Sequence, residues 1–262
     1  MNNQSHFQFI INPYFLDKPL IGLKHLAKEH WKLCDPEFKG SNQIENLKSI
    51  HQSIKKNIDD AFTNNKIPII ISGDCCSSIP VIAAVQQQGL KPLLIWVDAH
   101  GDFNTFETTE SGHLGGMPLA MLAGLGNIEL LSACDTKPLD HSNIVLSDAR
   151  DLDTKEALLM EQSNINHLKD VGELINYPFA NSPIHLHFDT DILKPEDAPA
   201  QNYLAKGGPS LQVLHSVFTV LANQNIVAIS VSSWNPELDV DGKTVQNCMG
   251  LIKTLTENMQ PK

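Results

Sequence analysis

The sequence lacks any long hydrophobic run. No apolar stretch approaches the roughly 20 residues that a membrane-spanning helix needs. The amino-terminal residues also lack the basic segment and following apolar segment that are typical of an export signal. We therefore expect a soluble, cytoplasmic protein with no membrane partner.

Positive charge is scarce as well. The 262 residues include 19 lysines and arginines against 30 acidic residues, and the net charge is −11 at pH 7. Because such a charge repels phosphate backbones, we expect no nucleic-acid partner. An acidic balance does suit a cation site.

Cysteine is sparse and shows no pairing pattern. The five cysteines are an odd number, they are scattered, and none forms a Cys-x-x-Cys spacing. They are therefore expected to be reduced thiols, as in a cytoplasm. Only Cys75 and Cys76 lie where chemistry is plausible.

Repeats, low-complexity tracts and linker-like segments are absent too, so residues 1–262 are predicted to form a single domain. Apolar runs, typical of strands buried on both faces, alternate with periodic helical segments. The alternation predicts an α/β fold, a three-layer doubly wound parallel sheet. The predicted strands are 67–72, 92–98, 142–147, 182–189 and 225–232, and the predicted helices are 43–62, 77–88, 154–163, 210–224 and 242–259.

Polar groups follow four of these strands, at the edge where ligands bind in such sheets. Asp98, His100 and Asp102 alone could cap a helix or be satisfied within a loop. Asp189 and Asp191 could cap a turn, and such a pair also occurs in metal sites of nucleotide-sugar transferases. Together these carboxylates would repel one another unless a cation neutralised them. Oxygen ligands with one imidazole suit Mn²⁺ or a similar ion, so the expected reaction class is metal-assisted hydrolysis.

Six motifs, in this order and at these separations, resemble the ureohydrolase family of arginases, agmatinases and formiminoglutamases. The resemblance covers residues 65–260, and the motifs are SGDCCS, DAHGDFNT, SGHLGGMP, RDLD, HFDTD and SWNP. It implies an arginase-like fold with two manganese ions at the carboxyl edge of the sheet. It also implies hydrolysis of a guanidino or amidino C–N bond.

The resemblance assigns metal ligands by position. They are Cys75, Asp98, His100, Asp102, Asp189 and Asp191. Asp98 and Asp189 would bridge the two ions, and Asp102 would also orient the nucleophilic water. We expect one tightly bound Mn²⁺ and a second, weaker ion, with Zn²⁺ or Fe²⁺ as possible occupants.

Residue 75 departs from the family, which usually has a metal-binding histidine there. Cys75 could ligate as a thiolate, which is softer than imidazole and must first lose a proton. The alternative is a buried side chain that no longer ligates. Family members that act on N-hydroxyarginine resemble this chain in having cysteine at this position.

The segment 111–116 departs as well, because the family commonly has Ser-Gly-Asn-Leu-His-Gly, whose histidine assists proton transfer. Gly115 takes the place of that histidine, and His113 takes the place of the asparagine. His113 is a candidate proton shuttle, since imidazole titrates near neutral pH. The alternative is an ordinary residue of the pocket wall.

The substrate-binding positions also differ from the family in part. Ser233 replaces a glutamate that faces the guanidinium, a loss that costs about 1.5–3 kcal/mol for a charged partner. An N-hydroxyguanidine, amidine or formimino group therefore fits better than plain arginine. Asn104, Ser111 and Asp153 match the arginase positions that hold the α-carboxylate and α-amino groups, which predicts an amino-acid-like small-molecule substrate.

Two functions remain open at this point. The leading hypothesis is a metal-dependent hydrolase of a linear amidine or guanidine-type C–N bond. The alternative is a catalytically impaired protein of the same fold that acts as a binding or regulatory subunit. The family resemblance further implies a homo-oligomer, a trimer or hexamer. His185 and His187 are expected to face the same layer of the sheet, with His187 close to the ligands.

Overall fold

Eight parallel strands form the central sheet of the computed structural model, which describes residues 6–259. In chain order the strands are β1 (Phe7–Asn12), β2 (Tyr14–Phe15), β3 (Lys18–Pro19), β4 (Lys32–Leu33), β5 (Ile67–Ser72), β6 (Leu93–His100), β7 (Ile144–Asp151), β8 (Asn166–Leu168), β9 (Ile184–Asp189) and β10 (Ile226–Ser232). The order across the sheet is β4-β1-β5-β10-β9-β6-β7-β8, and β2 and β3 form a separate antiparallel pair. The predicted parallel α/β sheet is therefore confirmed.

Helices cover both faces of this sheet. They are α1 (Gln43–Thr63), α2 (Ser78–Gln87), α3 (Pro118–Leu122), α4 (Glu129–Ser132), α5 (Thr154–Ser163), α6 (Leu211–Ala222) and α7 (Lys243–Asn258). Within the described residues, no helix combines the length and the apolar composition needed to cross a membrane.

Alternate residues of each central strand pack against different layers. In β6, Ile95 and Val97 belong to the core that includes residues of α6 and α7. Leu94 and Trp96 belong to the core on the opposite face, with Ile79 of α2. Because side chains alternate across a strand, a strand covered on both faces has a nearly continuous apolar sequence. This explains why the apolar runs predicted the three layers.

The five strands predicted from apolar runs correspond to β5, β6, β7, β9 and β10, and the five predicted helices correspond to α1, α2, α5, α6 and α7. Three strands of the sheet were not predicted. Two of them, β4 and β8, lie at the two edges and are only two and three residues long. Such short segments carry too few apolar residues to produce a pattern. The single-domain organisation of residues 1–262 stays a prediction.

The four strands that end in polar groups, β5, β10, β9 and β6, are consecutive neighbours in the sheet. All four run in the same direction, so their carboxyl ends meet along one continuous edge. The residues that follow these strands are thereby brought together from positions more than 150 residues apart in the chain, as with Cys75 and Ser233.

Candidate metal centre

A cavity of about 350 Å³ opens at this edge of the sheet. We call one side its inner end, which is lined by Cys75, His100, Asp102, Asp189, Asp191 and Ser233. The other side is its outer end, which is lined by Phe15, Asn104, Ser111, His113, Asp153 and Tyr203. The cavity thus brings together every site residue predicted from the sequence except Asp98, which is buried just behind its wall.

The first group of possible metal ligands at the inner end contains Asp98, His100 and Asp191. His100 Nδ1 lies 2.8 Å from Asp191 Oδ2 and 3.7 Å from Asp98 Oδ1. Burial alone would lower the pKa of His100, but its hydrogen bonds and charge interactions with the two carboxylates raise it to about 12. A proton on this imidazole therefore occupies the position between carboxylates that a metal ion could take instead.

The second group contains Cys75, Asp98, His187 and Asp189, whose ligand atoms all lie within 4.8 Å of one another. Cys75 Sγ donates a hydrogen bond to Asp189 Oδ2 at 2.9 Å. Ser233 Oγ donates to the same oxygen. Asp98 belongs to both groups, whereas Asp189 belongs only to the second, and the bridging roles expected for these two residues stay predictions.

Asp102 belongs to neither group, although it lines the inner end. Its Oδ2 is buried without a hydrogen-bond partner among the described residues. Burial and the charges of Asp98 and Asp189 raise its pKa well above the ordinary range. Its backbone is left-handed, with φ of 49°, which is uncommon for a residue other than glycine and is often seen at functional sites.

The inner end therefore holds more negative charge than its own groups neutralise. Burial and neighbouring carboxylates also raise the pKa of Asp189 well above its usual range, and raise the pKa of Asp191. Burial raises the pKa of the Cys75 thiol, and the charges of Asp102, Asp189 and Asp98 raise it further. A divalent cation would relieve this repulsion, so the residues present fit a metal ion.

His113 occupies an unexpected position at the outer end. A Cβ atom added to Gly115 would lie only 2.4 Å from His113 Nε2. The imidazole of residue 113 therefore fills the space that a side chain at residue 115 would take. Its ring is also near two aromatic rings, with centroids 5.7 Å from Phe15 and 5.1 Å from Tyr203.

The predicted amino-acid-binding residues lie together at the outer end. Asn104 Nδ2 donates to Asp153 Oδ2 at 3.0 Å, and Thr108 donates to Asn104 Oδ1 at 2.9 Å. Asp153 also caps α5 in a reciprocal arrangement with Glu156, which is a capping box. Ser111 is exposed and its hydroxyl accepts from the backbone N–H of His113.

Several residues of the cavity were not predicted from the sequence. Glu156 lines the cavity and accepts hydrogen bonds from the backbones of Phe103 and Asp153. Its place three residues after Asp153 was a usable signal, because that spacing is typical of a capping box. Phe15 and Tyr203 come from distant loop segments, and nothing in their local sequence indicates that they meet the motifs.

The fold and the site together define a parallel α/β protein with a candidate divalent-metal centre at the carboxyl edge of its sheet. The chain belongs to the arginase family, whose sequence model matches residues 21–256. This confirms the resemblance drawn from the six motifs. The moderate sequence identity to known members makes the chain a divergent one.

Known proteins of this family cover most of the chain. The arginase of Bacillus subtilis (strain 168) is 28% identical over 235 residues, which cover 84% of this chain and 79% of that protein. The arginase of Bacillus caldovelox is 30% identical over 233 residues, with coverage of 82% and 78%.

Solved structures of the family share the fold. An Entamoeba histolytica arginase in complex with L-ornithine superposes with a TM-score of 0.81 at 22% identity, covering 95% of this chain and 97% of that chain. The formimidoylglutamase of Bacillus subtilis gives 0.73 at 16% identity, covering 96% and 86%.

Proposed function

We propose that this protein is a metal-dependent hydrolase that cleaves a linear amidine or guanidine-type C–N bond in a substrate with an α-amino-acid head. The observation that carries the proposal is the cavity itself. It is lined by a cluster of buried carboxylates and by the Asn104, Ser111 and Asp153 set, which supports a metal centre beside a site for an amino-acid head. Membership of the arginase family supports the same reaction class.

The metal would be held at the inner end by Cys75, Asp98, His100, Asp102, Asp189 and Asp191. A bound divalent ion lowers the pKa of water enough to provide a nucleophile near neutral pH. We propose Mn²⁺ as the physiological ion, with Zn²⁺ or Fe²⁺ as alternatives, since a cysteine ligand favours softer metals.

Asp102 and His113 would carry out the proton transfers of the reaction. Hydrolysis forms a C–O bond at the amidine carbon and breaks a C–N bond, and the departing amine must take up a proton. Asp102 would accept a proton from the attacking water, since its Oδ2 has no hydrogen-bond partner among the described residues. His113 would deliver a proton to the amine, because its imidazole fills the space over Gly115 inside the cavity.

Ser233 is proposed to set the preference for the reacting group. Its hydroxyl donates to Asp189, so it offers no negative charge to a guanidinium. A group less basic than guanidinium would lose less from this exchange, whereas arginine would lose a charge-assisted contact worth about 1.5–3 kcal/mol. The expected substrates are therefore N-hydroxyguanidine, amidine or formimino derivatives of an α-amino acid.

A substrate panel tests this proposal. The metal-loaded protein would be assayed for release of hydroxyurea from N-hydroxy-L-arginine, of formamide from N-formimino-L-glutamate, and of urea from L-arginine and agmatine. We expect the first or second compound to be cleaved fastest. Agmatine as the best substrate would refute the amino-acid head, and no turnover of any amidine by metal-loaded protein would favour the alternative of a binding or regulatory subunit.

A pair of variants tests the role of Ser233 directly. Ser233→Glu introduces the carboxylate, and Ser233→Gln introduces a neutral side chain of the same size. We expect the glutamate variant alone to raise the activity on L-arginine relative to the other substrates. Equal effects of the two variants would show that size at residue 233, and not charge, governs the preference.

The assembly and location are part of the same proposal. A homo-oligomer, a trimer or hexamer, and a cytoplasmic location remain predictions. Light scattering on purified protein would give the oligomeric state, and a monomer would contradict the first of them.

A further inference from the structure

His187 is a fully buried histidine of the second donor group. It lies in β9, two residues before Asp189. Among the described residues, no hydrogen-bond partner is available to Nε2. Burying such an atom without a partner costs free energy, so an unpaired nitrogen beside three other donor groups requires an explanation.

The other ring nitrogen is fixed by two serines. His187 Nδ1 lies 2.6 Å from Ser78 Oγ and 2.9 Å from Ser230 Oγ. The same Ser230 hydroxyl lies 2.9 Å from His185 Nε2, and the two hydroxyls are 3.0 Å apart. Each serine has only one proton to donate.

These contacts are compatible with the tautomer of His187 that a metal ligand needs. In that proton arrangement Ser230 donates to His185 and Ser78 donates to Ser230. His187 Nδ1 then carries the proton and donates it to a serine oxygen. A neutral imidazole with a proton on Nδ1 has a free lone pair on Nε2, which is the state required of a metal ligand.

Trp96 holds the ring in place. Its indole stacks on the His187 imidazole with centroids 3.6 Å apart and planes 18° apart. The indole N–H donates to Asp98 Oδ2 at 3.0 Å. Trp96 therefore orients two members of the second donor group at once, and the imidazole cannot turn Nε2 away from that group without breaking the stack and the serine contacts.

We propose that His187 ligates a divalent metal ion through Nε2 and completes a four-donor site with Cys75, Asp98 and Asp189, and that this site takes Zn²⁺. The inference rests on the metal dependence in the proposed function, adds a ligand to it, and assigns the alternative ion Zn²⁺ to the site that contains Cys75. As the ion binds, Cys75 loses its proton to solvent, because the thiolate is the ligating form. Nitrogen, sulfur and carboxylate oxygen are all donor types by which proteins bind zinc.

Metal affinity tests the proposal without any enzyme assay. Metal-free protein would be titrated with Zn²⁺ against a chromophoric chelator of known affinity. His187→Phe keeps a flat ring on Trp96 and removes both nitrogens. Because even groups behind the ligands change metal affinity by about 10–100-fold, we expect this variant to lose about 100-fold or more. The loss for Mn²⁺ should be smaller, since Mn²⁺ gains less from nitrogen ligands.

His51→Phe is the matched control. His51 is equally buried and lies in α1, its ring nitrogens have no hydrogen bond to any described residue, and it belongs to neither donor group. We expect its zinc affinity to stay within about threefold of the parent protein, because neither a ligand nor a group bonded to one is lost. An unchanged affinity in His187→Phe, or an equal loss in both variants, would overturn the proposal.

A second measurement uses the unmodified protein, in case a variant fails to fold. With ¹⁵N-labelled histidine, zinc loading should shift the Nε2 resonance of His187 and leave its Nδ1–H tautomer intact. No shift on stoichiometric loading would also overturn the proposal. The two proposals fail separately: zinc bound through His187 without turnover contradicts the hydrolase function, whereas turnover with unchanged affinity in His187→Phe contradicts the ligand.

Discussion

The inner and outer ends of the cavity are built in different ways. The inner end comes from four neighbouring strand ends, and most of its groups are buried and bonded to one another. The outer end comes from loops and from the β2–β3 pair, and it includes exposed groups such as Ser111 and Tyr203. The contrast suggests that the strand ends hold the metal and the reacting group, whereas the loops hold the amino-acid head of the substrate and the candidate proton donor. Changes at the two ends should therefore differ in how they depend on substrate.

The largest effect is expected at Asp98, which both donor groups share. Asp98→Asn should lower kcat/KM at least about 100-fold for every substrate, because loss of a shared ligand affects the whole centre. Elemental analysis after dialysis should show a parallel loss of metal. Asp60→Asn makes the same charge change at an exposed residue of α1 that does not line the cavity, and it should keep its metal. A substrate-dependent loss in Asp98→Asn would contradict the division between the ends.

Gly115 offers a test of the outer end that removes no polar group from the protein. In Gly115→Ala the new methyl would lie 2.4 Å from His113 Nε2 and displace the imidazole. Because a positioned acid or base contributes about 100–10,000-fold, partial displacement should lower kcat about 10–100-fold.

Gly116→Ala is the matched control for that variant, since a Cβ added at Gly116 meets nothing within 4 Å. Steady-state kinetics over a pH range would compare the two proteins. If both retain the parent kcat and pH profile, His113 is a residue of the wall and not a proton donor.

Asn104→Ala should have a smaller and substrate-dependent effect. Removing one hydrogen bond to a charged substrate group costs about 1.5–3 kcal/mol, or roughly 10–100-fold in KM. The loss should appear for α-amino acids and be absent for agmatine, which has no carboxylate. KM values for the two classes measure this, and an equal change for both would argue against an amino-acid head.

The smallest effect concerns stability and involves Glu156, which contacts the backbones of Phe103 and Asp153. Burial raises the pKa of Glu156 to about 7. Between the unfolded and folded pKa values, the folded state keeps a proton that the unfolded state has released. The stabilising contribution of this carboxyl is therefore present at pH 4 and is lost as the pH rises through 7. The full change is on the order of 3 kcal/mol at 1.36 kcal/mol per pKa unit.

Glu156→Gln should flatten this dependence. Urea unfolding of metal-free protein at pH 5 and pH 8 would measure it in the parent and the variant. The difference between the two proteins isolates Glu156 from other buried acids whose pKa is also raised. An identical loss of stability with rising pH in both would rule out a contribution from this carboxyl.

The inner end could be predicted from the sequence because its positions follow from the sheet. Parallel strands bring their carboxyl ends to one edge, so Asp98, His100, Asp189 and Asp191 could be expected to lie together on the strand pattern alone. His187 shares a strand face with Asp189, two residues away, and that spacing was the only available signal. Which of its nitrogens is unpaired depends on Ser78 and Ser230, and neither contact follows from periodicity.

The outer end was less predictable because loops have no periodic pattern. The sequence indicated His113, but its ring lies over Gly115 because of the local path of a loop, which no motif specifies. Phe15 and Tyr203 reach the cavity from segments far from the motifs. Asn104 and Asp153 were predicted only through the family resemblance, and their roles stay predictions.

Trp96 has a consequence for measurement. Its indole stacks on His187 and hydrogen-bonds to Asp98, so its excited state is in contact with two donors of the same proposed ion. The sequence has three tryptophans, and Trp31 and Trp234 belong to neither donor group. The emission of Trp96 should therefore change as the centre fills, and a Trp96→Phe protein should lose that response. The fluorescence of this one residue would then report the metal content of the protein without an added probe.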